Sequence, residues 1–153
     1  MDNKEKHRLQ NNWEYAQKIW NIKYKEFKLK GWSLKKDHAK TRLGQCDHSK
    51  RIVSISTYFM RGKSCRYAKV KDTILHEIAH VLTPGHGHDR MWKNMCVKIG
   101  ASPRICATMD IPPRSWVMIC NNCNWRKEYY RKPVLHGRVC LKCKKIPRIK
   151  SLK

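Results

Sequence analysis

Hydrophobic residues along the chain change their spacing several times, and each change predicts a different element. Across residues 5–30, apolar side chains recur every third or fourth position with lysines between them, which predicts an amphipathic helix that ends at Gly31. Residues 51–56 instead alternate apolar and polar, as a half-buried strand does. With shorter runs at 32–34 and 42–46 and a turn at 47–50, they predict a small antiparallel sheet.

The next segment predicts two helices and a linker. Residues 70–82 are apolar nearly all round, which is the pattern of a buried helix. The basic stretch 61–71 is predicted to be a loop that leads to this helix, with Asp72 or Thr73 near the helix start. A second, amphipathic helix begins around Met91 and ends at Gly100. Residues 101–114 contain prolines and no periodicity. We therefore expect one domain over 1–100, a linker over 101–114 and a small module over 115–153.

The buried helix carries the motif H-E-x-x-H at His76-Glu77-Ile78-Ala79-His80. Residues four apart project from the same helix face, so His76 and His80 are placed to bind one divalent metal ion, typically zinc. Glu77 would lie beside the metal, where it could take a proton from a bound water. Two ordinary histidines on a helix are the alternative, but buried polar groups need partners, and a metal supplies them.

A catalytic zinc usually has three protein ligands, and two further histidines follow the helix. His86 lies ten residues after His76, the metzincin spacing, although Thr83 replaces the glycine of that pattern. His88 lies directly before the second helix, four residues ahead of Trp92. The residues leave both open as third ligand. Met109 is a candidate for a methionine beneath the metal, although packing is the commoner role of a lone methionine.

Cysteines near the end of the chain form two matched pairs. Their spacing is C-x2-C, sixteen residues, C-x2-C, which predicts a structural zinc site. The four ligands are Cys120, Cys123, Cys140 and Cys143. A module of under 40 residues buries little core, so the metal would supply most of its folding energy. The other cysteines, which lack such pairing, are expected to be core or incidental thiols: Cys46, Cys65, Cys96 and Cys106.

The charge of the chain indicates a polyanionic partner. Lys and Arg number 35 against 11 Asp and Glu, a formal net charge of +24, which favours nucleic acid first and an acidic membrane second. The sequence has no apolar run long enough to cross a bilayer, and its first residues do not resemble a signal peptide. We therefore expect an intracellular protein of the cytoplasm or nucleoid, or of the nucleus in a eukaryotic host, with reduced cysteines.

The C-terminal module concentrates this charge. From residue 115 to 153, eleven Lys and Arg face the single Glu128. Cations interleave with rings along the module, at Trp116, Trp125, Arg126, Lys127, Tyr129, Tyr130, Arg131 and Lys132. Cations can bind phosphates, and aromatic rings can stack on unstacked bases. The module is therefore predicted to bind DNA or RNA, including single strands, without regard to base sequence. Some of these rings must instead pack the module's own core.

Together, HEIAH, the following Gly87-His88-Asp89-Arg90-Met91-Trp92 and the four-cysteine ribbon resemble the SprT-like (Spartan-type) metalloprotease family. The resemblance implies a zincin-like α+β domain with metal ligands His76, His80 and His88, general base Glu77 and a packing role for Trp92. Asp89 stands where the family commonly has glycine. The resemblance also implies that the substrates are proteins bound or crosslinked to DNA. It makes residues 52–56 our candidate strand edge for binding an extended peptide. An ordinary core strand is an equally good interpretation of these residues.

The sequence therefore predicts a monomeric zinc endopeptidase with one catalytic and one structural Zn²⁺. The sequence does not identify an oxyanion donor; Tyr58 and whichever of His86 and His88 does not bind the metal are candidates. The main alternative is a non-enzymatic nucleic-acid-binding protein whose histidine site is structural. A second alternative is a metallopeptidase with a soluble regulatory target, for which DNA is irrelevant.

Overall fold

The structure is a computed structural model that describes residues 1–104 and 111–152, and the chain divides into two compact units, Met1–Ile111 and Pro112–Lys153. The first unit contains α1 (Asn3–Glu26), β1 (Ser33–Asp37), β2 (Gly44–Asp47), β3 (Ile52–Ser56), α2 (Thr57–Arg61), α3 (Tyr67–Leu82) and α4 (Arg90–Ile99). The second contains β4 (Trp116–Ile119), β5 (Arg126–Tyr129) and β6 (Arg148–Ser151). Helices and two small sheets make the fold α+β.

The first helix ends four residues earlier than its apolar pattern predicted. Lys28 takes a left-handed conformation with φ of 51°. The Leu29 amide then donates to the Tyr24 carbonyl at 3.0 Å, and the Lys28 amide to the Lys25 carbonyl at 3.3 Å. This Schellman arrangement satisfies the last carbonyls of the helix and turns the buried Leu29 back into the core.

The sheet of the first unit corrects two sequence predictions. Its order is β1-β3-β2, with β1 parallel and β2 antiparallel to β3, so the sheet is mixed rather than antiparallel. β3 therefore lies in the middle, and residues 52–56 are wrong as the substrate-binding edge because both sides of β3 are already hydrogen-bonded. Among the described strands, the edges of this sheet are β1 and β2.

The metal-motif helix is longer than predicted. α3 starts at Tyr67, within the stretch that had been assigned to a loop, so Lys69 and Lys71 are helical. The short helix α2, which directly follows β3, was not predicted either; Ser56 caps it by accepting a hydrogen bond from the Phe59 amide at 3.1 Å. α4 matches the prediction closely, with Gly100 at its end in a left-handed conformation, φ 80°.

A single hydrophobic core fixes α3 inside the first unit. Its apolar side chains are buried on several faces, among them Ile74, Leu75 and Ile78, each with no exposed surface. They pack with buried residues of α1 and β3, including Ala16 and Val53. Because α3 is held on several sides, the polar side chains on its remaining face are fixed relative to the sheet.

In the second unit, β4 is the middle strand of a three-stranded antiparallel sheet of order β5-β4-β6. Within the described residues, no helix is long and apolar enough to cross a membrane. The predictions for Met109 and Cys106 concern residues outside the described ranges. The seven described cysteines are all free of disulfide bonds.

Candidate metal centres

Three of the predicted histidines meet at one point. His76 and His80 project from consecutive turns of α3, and His88 approaches them from the loop before α4. His88 Nε2 lies 3.1 Å from His76 Nε2 and 3.2 Å from His80 Nε2. A tetrahedral zinc with Zn–N distances of about 2.1 Å separates its ligand nitrogens by about 3.4 Å, so the three nitrogens are placed close to the arrangement such an ion requires.

The loop between α3 and α4 brings His88 back to the helix. Thr83 ends α3, and its hydroxyl donates to the Ala79 carbonyl at 2.7 Å. The chain then turns through Gly85, whose φ of 79° suits glycine. Asp89 caps α4 by accepting a hydrogen bond from the Trp92 amide at 3.0 Å. His88 is therefore held between a helix end and a helix start.

Trp92 forms the floor of the cluster. Its ring is fully buried, and its centroid lies 4.6 Å from that of His76, 5.1 Å from His80 and 4.6 Å from His88. It stacks on His80 with an interplanar angle of 25°. One rigid aromatic side chain thus limits the orientation of all three imidazoles.

His86, the alternative third ligand, is not part of the cluster. Its Nδ1 lies 2.7 Å from Asp89 Oδ2 on the exposed side of the loop. Of the two histidines that the sequence left open, the structure brings His88 to His76 and His80.

Two of the imidazoles, those of His76 and His80, have the protonation state that metal binding needs. Burial, followed by the charges of His80 and His88, lowers the pKa of His76 to about 4. Burial and the charge of His88 also lower the pKa of His80, against a hydrogen bond to the backbone of His86. At neutral pH the His76 and His80 rings are therefore uncharged, as metal ligands must be. Three imidazoles facing each other fit a divalent transition metal.

Glu77 lies in a tight pocket between α3 and β2. It is only 6% exposed, and burial raises the pKa of its carboxyl to about 8, while the Arg42 charge and the Cys46 amide oppose that rise. A methyl group on Gly44 would lie 2.8 Å from Glu77 Oε1. The strand thus approaches the carboxylate where it has no side chain, and Glu77 is placed beside the histidines but not among them.

These side chains line one cleft of about 950 Å³. α3 contributes Lys69, Asp72, Thr73, His76, Glu77 and His80 to its lining, and the β2 segment contributes Thr41, Arg42, Leu43, Gly44, Gln45, Cys46 and His48. The loop after α3 also lines it, with Gly85, His86, Gly87 and His88. The oxyanion candidate Tyr58 is not among the lining residues. It lies instead under the Arg61 guanidinium, which is 5.0 Å from its ring centroid.

Sequence reasoning missed Arg42 and His48 as cleft residues, and gave Gly44 no role. A glycine within a strand often marks a close approach of another group, and that signal was present at Gly44. Arg42 lies two residues before it, ahead of the start of β2, and no local signal placed it in the cleft. Nothing in the local pattern marked His48, which reaches the cleft from the turn after β2.

The four predicted cysteines also meet. Cys120 Sγ lies 3.4 Å from Cys143 Sγ, and Cys123 Sγ lies 3.4 Å from Cys140 Sγ. All four sulfurs lie within 4.8 Å of one another. Zn–S bonds of about 2.3 Å in a tetrahedron require sulfurs about 3.8 Å apart, so this cluster fits a structural zinc ion.

Each cysteine pair forms a tight knuckle of the kind that directs two sulfurs inward. The Asn124 amide donates to the Cys120 carbonyl at 3.0 Å, and the Lys144 amide to the Cys140 carbonyl at 2.9 Å. Asn124 and Lys144 both have positive φ, 54° and 61°. The two knuckles therefore repeat the same backbone turn.

Cations cover most of the rings of the second unit. Arg114 lies 4.1 Å above the Tyr130 ring centroid, Lys132 lies 5.5 Å above that of Trp116, and Lys127 lies 5.7 Å above that of Tyr129. Such pairs hold the charged groups over the sheet surface. The rings and cations that the sequence interleaves are thus partners of one another.

The fold and site define an α+β protein with a three-histidine and a four-cysteine cluster, each suited to a metal ion. The model of the SprT-like family matches residues 10–110, and the chain belongs to that family. The predicted family is thereby confirmed. No curated protein and no solved structure matches the chain at a significant level.

Proposed function

We propose that this protein is a zinc-dependent endopeptidase with a zincin-like catalytic unit. The observation that carries the proposal is the buried Glu77 beside three converging imidazoles in an open cleft. A zinc ion held by His76, His80 and His88 would supply an acidified water and polarise a carbonyl group. A structural site would not need a buried acid that binds no metal, nor a cleft of this size.

Glu77 would act as the general base and then the general acid. Its carboxylate takes one proton from the attacking water as the water oxygen bonds to the carbonyl carbon. When the carbon–nitrogen bond breaks, Glu77 returns that proton to the leaving amine. Burial raises the pKa of Glu77 to about 8 without a metal, and the charge of a bound zinc would lower that pKa, so the carboxyl would both take and return a proton near neutral pH.

The open edge of β2 is the proposed docking site for substrate, in place of β3. The Ser56 amide donates to the Leu43 carbonyl at 2.8 Å, so the peptide groups of Leu43 and Gln45 face β3. Those of Gly44 and Cys46 then face the side away from β3, since an antiparallel ladder alternates, and on that side the Cys46 amide already donates to the Glu77 carboxyl. An extended peptide bound there would use main-chain hydrogen bonds and would be cleaved with little side-chain preference.

Substrates would be proteins bound or crosslinked to DNA. Family membership supports this class, and the basic second unit supports it independently, since its cations suit phosphates in any sequence. Tethering would raise the local concentration of a broadly specific protease near DNA-bound protein. We propose that the protein is an intracellular monomer and that the cysteine cluster holds a structural zinc.

The experiment is cleavage of a DNA-binding protein by zinc-loaded wild type and by Glu77→Gln, with and without single-stranded DNA. We expect cleavage by the wild type, stimulation by DNA that salt removes, and no cleavage by the variant at equal zinc content. Equal rates with and without DNA at low salt would contradict DNA tethering. Absence of cleavage by the wild type would favour the alternative, a non-enzymatic nucleic-acid-binding protein.

A further inference from the structure

The cleft contains an arginine whose position the histidine motif does not explain. Arg42 precedes β2 and lines the cleft together with His76 and Glu77. Gly44, two residues later, lies against the Glu77 carboxylate. Arg42 therefore shares the cleft with the carboxylate proposed to handle the proton.

Asp37 fixes this guanidinium from behind. Arg42 Nη2 donates to Asp37 Oδ2 at 2.7 Å, and the same oxygen accepts from the Ser54 hydroxyl at 2.8 Å. Asp37 Oδ1 accepts from the Ala39 amide at 2.9 Å. An aspartate held by three donors at the end of β1 is a rigid anchor. The arginine is thus held in place before any substrate arrives.

The anchor uses only one edge of the guanidinium. An arginine has five N–H donors in a planar fork, and the contact with Asp37 engages Nη2. The side chain of Arg42 is still 45% exposed, against 21% for Asp37. The contact with Asp37 thus leaves other donors of the guanidinium for a group bound in the cleft that Arg42 lines. Of the two residues considered earlier as oxyanion donors, Tyr58 does not line this cleft, whereas His86 does, with its Nδ1 bonded to Asp89.

We propose that Arg42 is a catalytic residue that donates a hydrogen bond to the carbonyl oxygen of the scissile peptide bond. Negative charge develops on this oxygen as the water oxygen adds to the carbonyl carbon and Glu77 takes the water's proton. The charge returns to the carbonyl when the carbon–nitrogen bond breaks and the amine leaves with that proton. This inference rests on the proposed peptidase function. It assigns the oxyanion donor that the motif leaves undefined.

The variants Arg42→Ala and Arg42→Lys test it, with Arg90→Ala as the control, because Arg90 is an exposed arginine of α4 outside the cleft. Losing one oxyanion donor lowers kcat about 10²–10³-fold, and we expect that loss in Arg42→Ala with little change in KM. Lysine can still pair with Asp37 but cannot also bind substrate in a fork, so we expect kcat at least about 10-fold below wild type. Methylguanidine should restore part of the Arg42→Ala rate, and methylamine should not.

Binding of a phosphinic pseudopeptide, whose anionic oxygens mimic the tetrahedral intermediate, gives a readout without turnover. Calorimetry should show binding at least about 10-fold weaker for Arg42→Ala than for the wild type or Arg90→Ala, at equal zinc content. If the wild type cleaves and Arg42→Ala keeps its kcat and its pseudopeptide affinity, the inference is wrong and the peptidase function stands. If Arg42→Ala only loses melting temperature and methylguanidine has no effect, Arg42 is structural and the inference is again wrong. If the zinc-loaded wild type does not cleave, both fail.

Discussion

Gly44 and Glu77 touch in a way that only glycine permits. A Cβ at position 44 would lie 2.8 Å from Glu77 Oε1, 3.0 Å from Glu77 Cγ and 3.1 Å from the Ser54 carbonyl oxygen. The Glu77 side chain is held by burial, and the Ser54 carbonyl belongs to the backbone of the middle strand, β3. Neither group can move freely. β2 and α3 are therefore fitted to each other at the point where the proposed base lies.

Gly44→Ala should displace the Glu77 carboxylate. We expect peptidase activity to fall at least about 10-fold with zinc content unchanged, and overpacking to cost about 1–3 kcal/mol in the free energy of unfolding. Cleavage rates and urea unfolding measure the two effects. Gly87→Ala is the steric control for unfolding, because a Cβ there meets no atom within 4 Å. Wild-type activity in Gly44→Ala would show that the contact does not position Glu77.

Glu77→Gln should stabilise the metal-free protein above pH 5. The ordinary pKa of Glu77, 4.5, is raised to about 8 by burial, so between these values the folded state keeps a proton that the unfolded state has lost. Stability therefore falls as pH rises through this window. Glutamine removes that loss, which is at most about 5 kcal/mol. Urea unfolding with chelator should show a difference that grows from pH 4 to pH 8, and a difference independent of pH would contradict this account of Glu77.

His88→Ala and His86→Ala separate the two histidines after the helix. Removing His88 takes away one of three converging nitrogens, so we expect zinc affinity of the first unit to fall at least about 100-fold. His86→Ala loses only its exposed contact with Asp89 and should keep zinc. Competition with a chromogenic chelator measures both. A larger loss for His86→Ala would make His86 the third ligand.

The basic second unit should bind DNA mainly through charge. Most of its rings already face cations, so phosphate contacts should outweigh base stacking. Replacing Arg131, an exposed arginine of this unit, by alanine should weaken binding similarly for unrelated sequences and reduce the slope of log affinity against log salt by about 1. Fluorescence anisotropy across salt concentrations measures this. An unchanged slope, or strong dependence on base sequence, would oppose the charge account.

Local pattern was sufficient for the elements that carry the metal ligands. The apolar run of α3, the amphipathic run of α4 and the paired cysteines are each encoded within a few residues. Such signals depend on helix period and ligand spacing, so they can be read from one sequence. The end of α1 at Glu26 could not be read in this way, because the left-handed residue that follows it is Lys28, beside the buried Leu29, and not a glycine.

Sheet order was not predictable in the same way. The turn at 47–50 correctly joins β2 to β3, but the parallel pairing of β1 with β3 depends on contacts between segments distant in sequence. That pairing places β3 in the middle and moves the open edge to β2. Arg42 was missed for the same reason, since its relation to Glu77 arises only when β2 packs beside α3.

The number of zinc ions per chain tests the central claim most directly. Native mass spectrometry of the intact protein should find two ions. A variant with serine at Cys120, Cys123, Cys140 and Cys143 should keep one, and adding His76→Ala and His80→Ala should remove it. If the intact protein binds one zinc even with excess metal, and the serine variant binds none, then the histidine cluster holds no metal and the peptidase account is wrong.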